Sequence, residues 1–146
     1  PKTPVIGFAG DGSFGISMNE MSSCAREEWP AITMVIFRNY QWGAEKRNSI
    51  LWFDDNFVGT ELDPELSYSK VANACGLKGV TAKTMDETTK AIKDSCKDQE
   101  KGITTFIEVI LNQELGEPFR RDAMKKPVQV AGINKNDMKP QKSLVE

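Results

Sequence analysis

Histidine is absent from the 146 residues, and cysteine is limited to Cys24, Cys75 and Cys96, with no CxxC spacing among them. Those absences exclude a Ser-His-Asp triad, a Cys-His nucleophile pair and a His-ligated zinc site. The three thiols are expected to be buried and free. No apolar run approaches the roughly 20 residues that a membrane-spanning helix needs, and the start of the chain lacks the charged and apolar regions of a signal peptide. Charge of one sign is missing too. The 19 basic and 21 acidic side chains leave a net charge of −2. They are interspersed, so there is no electrostatic footprint for nucleic acid or an anionic membrane. A cytoplasmic protein with neither partner is the expectation, and an apolar content of 39% suits a core-forming domain.

What is present alternates between two kinds of segment. Pro4 to Ala9 is a short apolar run closed by Gly10-Asp11-Gly12, and Ala31 to Phe37 and Ile103 to Leu111 are two more such runs. Continuous apolar runs bounded by turn residues read as buried parallel strands, and Leu77 to Ala82 reads as a shorter one. A buried strand so close to the first residue reads as part of something longer. Between the strands, Ser17 and Glu20 have capping-box spacing and predict a helix of about ten residues ending before Pro30. Asp63-Pro64 predicts an N-cap with proline at N1, opening a helix that stops at Gly76. Thr84 and Glu87 predict a second capping box and a helix to about Cys96. Ala44 to Thr60, with Trp52, Phe53 and Phe57 but no clean period, reads as ordered and irregular. The expectation is an α/β fold, a parallel sheet flanked by helices, over residues 1–111. Residues 112–146, proline-broken and weakly periodic, read as a long irregular C-terminal tail.

Gly10-Asp11-Gly12 alone is a weak signal, but it falls at the C-terminal end of a buried strand, where open α/β sheets bind ligands. Glycines there let backbone N–H groups approach a phosphate, and Asp11 offers a hard oxygen to Mg²⁺. Arg38-Asn39 ends the next strand, so two neighbouring loops, Gly10 to Phe14 and Arg38 to Gly43, could share one metal. Asp11, Asn39 and one backbone carbonyl would leave the other positions of an octahedral ion to water and diphosphate oxygens.

The stretch GDGSFGISMNEM, continuing after its spacer to VIFRNYQWG, resembles the pyrophosphate motif of the thiamine diphosphate-dependent enzymes. The later segments ELDPELSYSKVANACGLKG, TAKTMDETTKAI and TTFIEV resemble the rest of that family's C-terminal pyrophosphate-binding domain in its acetolactate synthase-like branch. The resemblance implies the thiamine diphosphate-binding fold. It also implies that Asp11, the Asn39 side chain and the Gln41 main-chain carbonyl ligate Mg²⁺, with Gly10, Gly12 and Ser13 holding the cofactor's diphosphate. Arg38 departs from the pattern by standing where the first of two asparagines is usual. The tail, NQELGEPFRRDAMKKPV, and the insertion AEKRNSILWFDDNFVGTEL resemble a narrower group whose substrates are sulfoacetaldehyde and inorganic phosphate. No catalytic residue is assigned within this chain, because the family's activating glutamate comes from a separate domain of a neighbouring subunit. The resemblance therefore implies a homo-oligomer with its active site at a subunit interface.

Both substrates are anions, which makes Arg120 and Arg121 candidates to bind them, with Lys125 and Lys126 beside them and Arg38 and Arg47 as rivals nearer the motif. Trp42, Trp52 and Phe53 could wall the pocket. Two alternatives stay open: an acetolactate synthase-like enzyme or 2-oxoacid decarboxylase with the same metal site, and a non-catalytic nucleotide-binding module. No GxxxxGK[ST] phosphate loop occurs, and no dinucleotide fingerprint is read here.

Overall fold

The computed structural model describes residues 3–26, 28–54 and 56–113. Their four strands are β1 (Ile6–Gly10), β2 (Thr33–Arg38), β3 (Lys78–Ala82) and β4 (Thr105–Ile110). They form one all-parallel sheet in the order β1-β2-β4-β3. Parallel pairing requires crossovers, and six short elements provide them. These are α1 (Asp11–Ile16), a 3₁₀ turn (Met18–Glu20), α2 (Met21–Cys24), α3 (Gly43–Trp52), α4 (Tyr68–Ala74) and α5 (Met85–Gln99). The expected parallel α/β sheet is what forms.

Both faces of the central strands β2 and β4 are dressed, which is why they read as continuous apolar runs, whereas β1, expected to be buried, is an edge strand with no buried residue and Phe8 exposed. On one face Ile36 and Phe106 pack with Phe14, Met21, Tyr68 and Ala72 from the α1, α2 and α4 side. On the other, Val35, Ile107, Val109 and Ala82 meet Ala91 and Ile92 of α5. The capping box of α5 is present as expected, with Thr84 and Glu87 each accepting from the other's backbone N–H. The end of α4 is set by Gly76 at φ +81°: Gly76 donates to Asn73 O and Leu77 donates to Ala72 O, the paired bonds of a Schellman stop.

Several further expectations are corrected. Gly10 to Phe14 is not a loop, because the chain passes from β1 directly into α1 at Asp11. Ser17 makes no side-chain cap; it closes α1, and two single turns replace the ten-residue helix. Asp63 does not cap α4: its carboxylate accepts from Glu65 N in a local turn, and Ser67 is the cap, accepting from Lys70 N. Ala44 to Trp52 is helical despite its lack of period. The cysteines are free but half-buried, and burial, with the charge of Glu20, pushes the Cys24 thiol pKa up. Residues 114–146, which hold most of the expected tail, lie outside the described residues.

Close packing of α4 on β3 depends on a missing side chain. A Cβ on Gly79 would lie 1.9 Å from the Ser69 carbonyl oxygen, a backbone atom that cannot swing aside. Gly79→Ala should therefore destabilise the protein by about 2–3 kcal/mol, as overpacking of a tight contact does. A shift of the urea unfolding midpoint to lower concentration, at unchanged slope, would register it.

Candidate cofactor and metal site

Because β1 and β2 are parallel neighbours with Gly10 opposite Phe37, their C-terminal ends deliver Asp11 and Asn39 to one place. Asp11 is buried, at 3% exposure. Its Oδ1 accepts from Gly12 N at 3.0 Å and its Oδ2 from Tyr40 N at 2.7 Å. Tyr40 has φ +62°, a left-handed conformation that is costly for a bulky side chain. That one residue reverses the chain between Asn39 and Gln41, so both neighbours face Asp11. Segment 60–62 holds the turn from behind: Trp42 N donates to Thr60 O at 2.7 Å and Leu62 N to Tyr40 O at 2.9 Å.

One terminal atom of the Asn39 amide lies 3.1 Å from the Gln41 carbonyl oxygen and 3.2 Å from Asp11 Oδ1. With its nitrogen there, the amide donates to both; with its oxygen there, three oxygens converge with no proton between them. Neighbouring ligands of an octahedral Mg²⁺ at about 2.1 Å are separated by about 3 Å. The hard-oxygen donor set and its spacing thus fit a small divalent cation, with a half-turn of one amide switching between the two arrangements. Asp11, Asn39 and Gln41 are brought together.

Gly12 and Ser13 form the first turn of α1 directly beside this cluster. Ser13 is exposed, its hydroxyl donating to Gly10 O at 3.1 Å. A Cβ on Gly12 would meet the Trp42 ring at 2.9 Å, so the glycine lets the indole lie against the turn. Trp42 lines a cavity of about 320 Å³ that opens on Asp11 and is walled also by Ile16, Leu62, Leu66 and Tyr68. Trp52 and Phe53, by contrast, are largely exposed and wall no part of it. Gly10, Gly12 and Gly15 do satisfy GxGxxG spacing after a strand, contrary to the expectation above. Spacing alone thus leaves a dinucleotide module open.

Arg38 is withdrawn from the anion-binding candidates by its own partners. Its Nη1 bonds Glu108 Oε1 at 2.5 Å, with both side chains buried. Nη2 donates to the carbonyl oxygens of Pro64 at 3.0 Å and Asp63 at 3.3 Å, and the guanidinium stacks on the Tyr40 ring. Glu108, in the middle of an apolar strand, was not anticipated as part of the site; an acid within ITTFIEVIL was the available signal. Burial raises its carboxyl pKa, but hydrogen bonds from Ser67, Ser69 and Arg38 outweigh burial and hold it below its ordinary value. Tyr68 donates its hydroxyl proton to Asp11 O at 2.9 Å, and burial, then the Asp11 charge, raises its pKa. Arg120, Arg121, Lys125 and Lys126 lie outside the described residues.

Comparison with known proteins decides the family. Residues 1–109 match the family model described as thiamine pyrophosphate enzyme, C-terminal TPP binding domain. The chain belongs to that family. It is 71% identical over 144 residues to a probable sulfoacetaldehyde acetyltransferase of Rhizobium meliloti (strain 1021), covering 99% of this chain and 24% of that protein. It is 68% identical over 141 residues to the sulfoacetaldehyde acetyltransferase of Roseovarius nubinhibens, covering 97% of this chain and 23% of the other. Among solved structures, benzoylformate decarboxylase from Polynucleobacter necessarius superposes with a TM-score of 0.67 at 27% identity, over 80% of this chain and 21% of that one. The chain spans about a quarter of the length of the curated relatives it matches. Among the described residues no helix is long and apolar enough to cross a membrane.

Glu108 gives this TPP-binding domain a pH signature. A carboxyl whose folded pKa is lowered stabilises fully above its unfolded pKa of about 4.3, and that contribution is lost as pH falls through the folded value. Glu108→Gln should cost about 3–5 kcal/mol at neutral pH by stranding Arg38. Its denaturation midpoint should converge on that of the unaltered protein as the pH is taken from 7 towards 3.

Proposed function

We propose that this chain is the diphosphate- and Mg²⁺-binding portion of a thiamine diphosphate-dependent acetyltransferase that converts sulfoacetaldehyde and phosphate to acetyl phosphate and sulfite. The convergence of Asp11, Asn39 and the Gln41 carbonyl carries the cofactor half of the proposal. The likeness to two sulfoacetaldehyde acetyltransferases over 97–99% of the chain, tail included, supports the substrate half.

In this reading Asp11 supplies the charge that binds Mg²⁺, and Asn39 and the Gln41 carbonyl complete the protein's share of its coordination. The Asn39 amide turns its oxygen to the ion and gives up its donation to Asp11 and Gln41. Gly12 and Ser13 present backbone N–H groups and a hydroxyl to the diphosphate, and Gly10 keeps the strand end open to it. Trp42, Leu62 and Leu66 keep water from the cavity beside the ion. Bound thiamine diphosphate supplies a nucleophilic carbon and an electron sink. Arg120 and Arg121 are assigned to the sulfonate or phosphate, as guanidinium geometry suits such oxygens. The residues divide as proposed from sequence, 1–111 for the cofactor and 112–146 as the tail. The enzyme would act in the cytoplasm as a homo-oligomer whose partner subunit completes the site.

A second reading, an acetolactate synthase-like enzyme or 2-oxoacid decarboxylase, keeps the same metal ligands. It is favoured by 30% identity over 95 residues to the acetolactate synthase catalytic subunit of Saccharomyces cerevisiae, which covers 64% of this chain.

The full-length protein given sulfoacetaldehyde, phosphate, thiamine diphosphate and Mg²⁺ should release sulfite and acetyl phosphate together, and neither when sulfoacetaldehyde is replaced by pyruvate as the donor. Turnover of pyruvate alone would keep the cofactor site and discard the substrate. Asp11→Ala should weaken thiamine diphosphate binding at least tenfold in calorimetric titration. Arg120→Ala should raise KM for sulfoacetaldehyde or phosphate and leave cofactor binding unchanged.

A further inference from the structure

Arg38 occupies the position where the family resemblance leads one to expect an asparagine, and its surroundings give it work that an asparagine could not reach. Glu108 on β4 touches the cation loop by two separate chains of contacts. The first runs through the Arg38 guanidinium to the ring of Tyr40, whose centroid is 4.4 Å from Cζ, and on through Tyr40 N to Asp11 Oδ2 at 2.7 Å. The second runs through Tyr68, whose backbone N–H donates to Glu108 Oε1 at 3.2 Å and whose hydroxyl donates to Asp11 O at 2.9 Å. Arg38 also ties the carbonyl oxygens of Asp63 and Pro64, just beyond the segment that supports the turn.

Tyr40 is where this matters. A left-handed tyrosine between two ligand-bearing residues is strained, and such a conformation persists only when its surroundings over-determine it. The stack on Arg38, the donation to Asp11 and the pairing with Leu62 are the restraints that do so. If Tyr40 relaxed, Asn39 and the Gln41 carbonyl could no longer face Asp11 together.

We propose that Arg38, anchored by Glu108, is a positioning residue for the cation site: it holds Tyr40 in the conformation that aims Asn39 and the Gln41 carbonyl at Asp11. The proposal rests on the Mg²⁺-thiamine diphosphate reading above. It assigns Arg38 no contact with metal, cofactor or substrate. A planar guanidinium is required because it must bond a carboxylate and two carbonyls in its plane while stacking through its face, which an ammonium cannot do.

The test is equilibrium dialysis of thiamine diphosphate against the full-length protein at increasing Mg²⁺, with a thermal melt of each variant. Arg38→Lys keeps the charge beside Glu108 and loses the stack and the fork. Tyr40→Ala leaves the ion pair intact and keeps the left-handed strain while removing the ring on which Arg38 stacks. Each should raise the half-saturating Mg²⁺ concentration at least fivefold. The double variant should be no worse than about the weaker single one, since both changes cut the same chain of contacts. A Mg²⁺ requirement within twofold of the unaltered protein in a folded Tyr40→Ala, or in a folded Arg38→Lys, would overturn the proposal and leave the pair a matter of stability. If the unaltered protein retained thiamine diphosphate equally well in chelator, the cofactor reading itself would fall.

Discussion

A carboxylate buried in the middle of a parallel sheet is the constraint around which this molecule is arranged. Removing an ion from water costs several kcal/mol unless its lone pairs are met, and Glu108 is 1% exposed on an interior strand. Its oxygens are met from two elements. Arg38 reaches across from β2, while Ser67 and Ser69 supply hydroxyls and Tyr68 and Ser69 supply backbone N–H groups from the start of α4. Satisfying one charge therefore fixes the neighbouring strand, the beginning of a helix and, through Arg38, the carbonyls of Asp63 and Pro64.

That arrangement explains why α4 begins where it does. Asp63-Pro64 has the residue types of a helix start, yet the carbonyls of both residues are committed to Arg38 and the chain stays outside helical geometry there. Ser67 then serves two ends, capping Lys70 N and donating to Glu108. A local propensity has yielded to a buried electrostatic demand several residues away, as weak helix signals do when tertiary contacts are stronger.

The same demand reaches the site. Asp11 is the residue on which both contact chains from Glu108 end, one at its carboxylate and one at its backbone carbonyl. The candidate site is thus built by strand ends that deliver Asp11 and Asn39 and by a buried polar network that holds them. Binding a hard cation in a preformed oxygen cluster favours such rigidity, because small octahedral ions tolerate little distortion. The Asn39 amide is the movable part, able to donate to the Asp11 carboxylate and the Gln41 carbonyl or to join them as an acceptor.

By itself the sequence determined the class of fold and the place of the site. Continuous apolar runs announced the parallel strands, and Gly10-Asp11-Gly12 and Asn39 lay at the ends of two of them, so the meeting of Asp11 and Asn39 followed from a rule about parallel sheets, while the Gln41 carbonyl entered through the family resemblance. Thr84 with Glu87 and Gly76 were legible because their bonds are local. Only the tertiary structure decided the rest. The partners of Glu108, the commitment of Arg38 to them, the left-handed Tyr40 and the packing of Trp42 on Gly12 join residues far apart in the chain, and no short-range pattern encodes such contacts. Ser17 and Asp63 show the same limit from the other side. Each carries a cap's residue type, but a cap forms where the backbone turns, and here the turn was set by the sheet and by the charge buried within it.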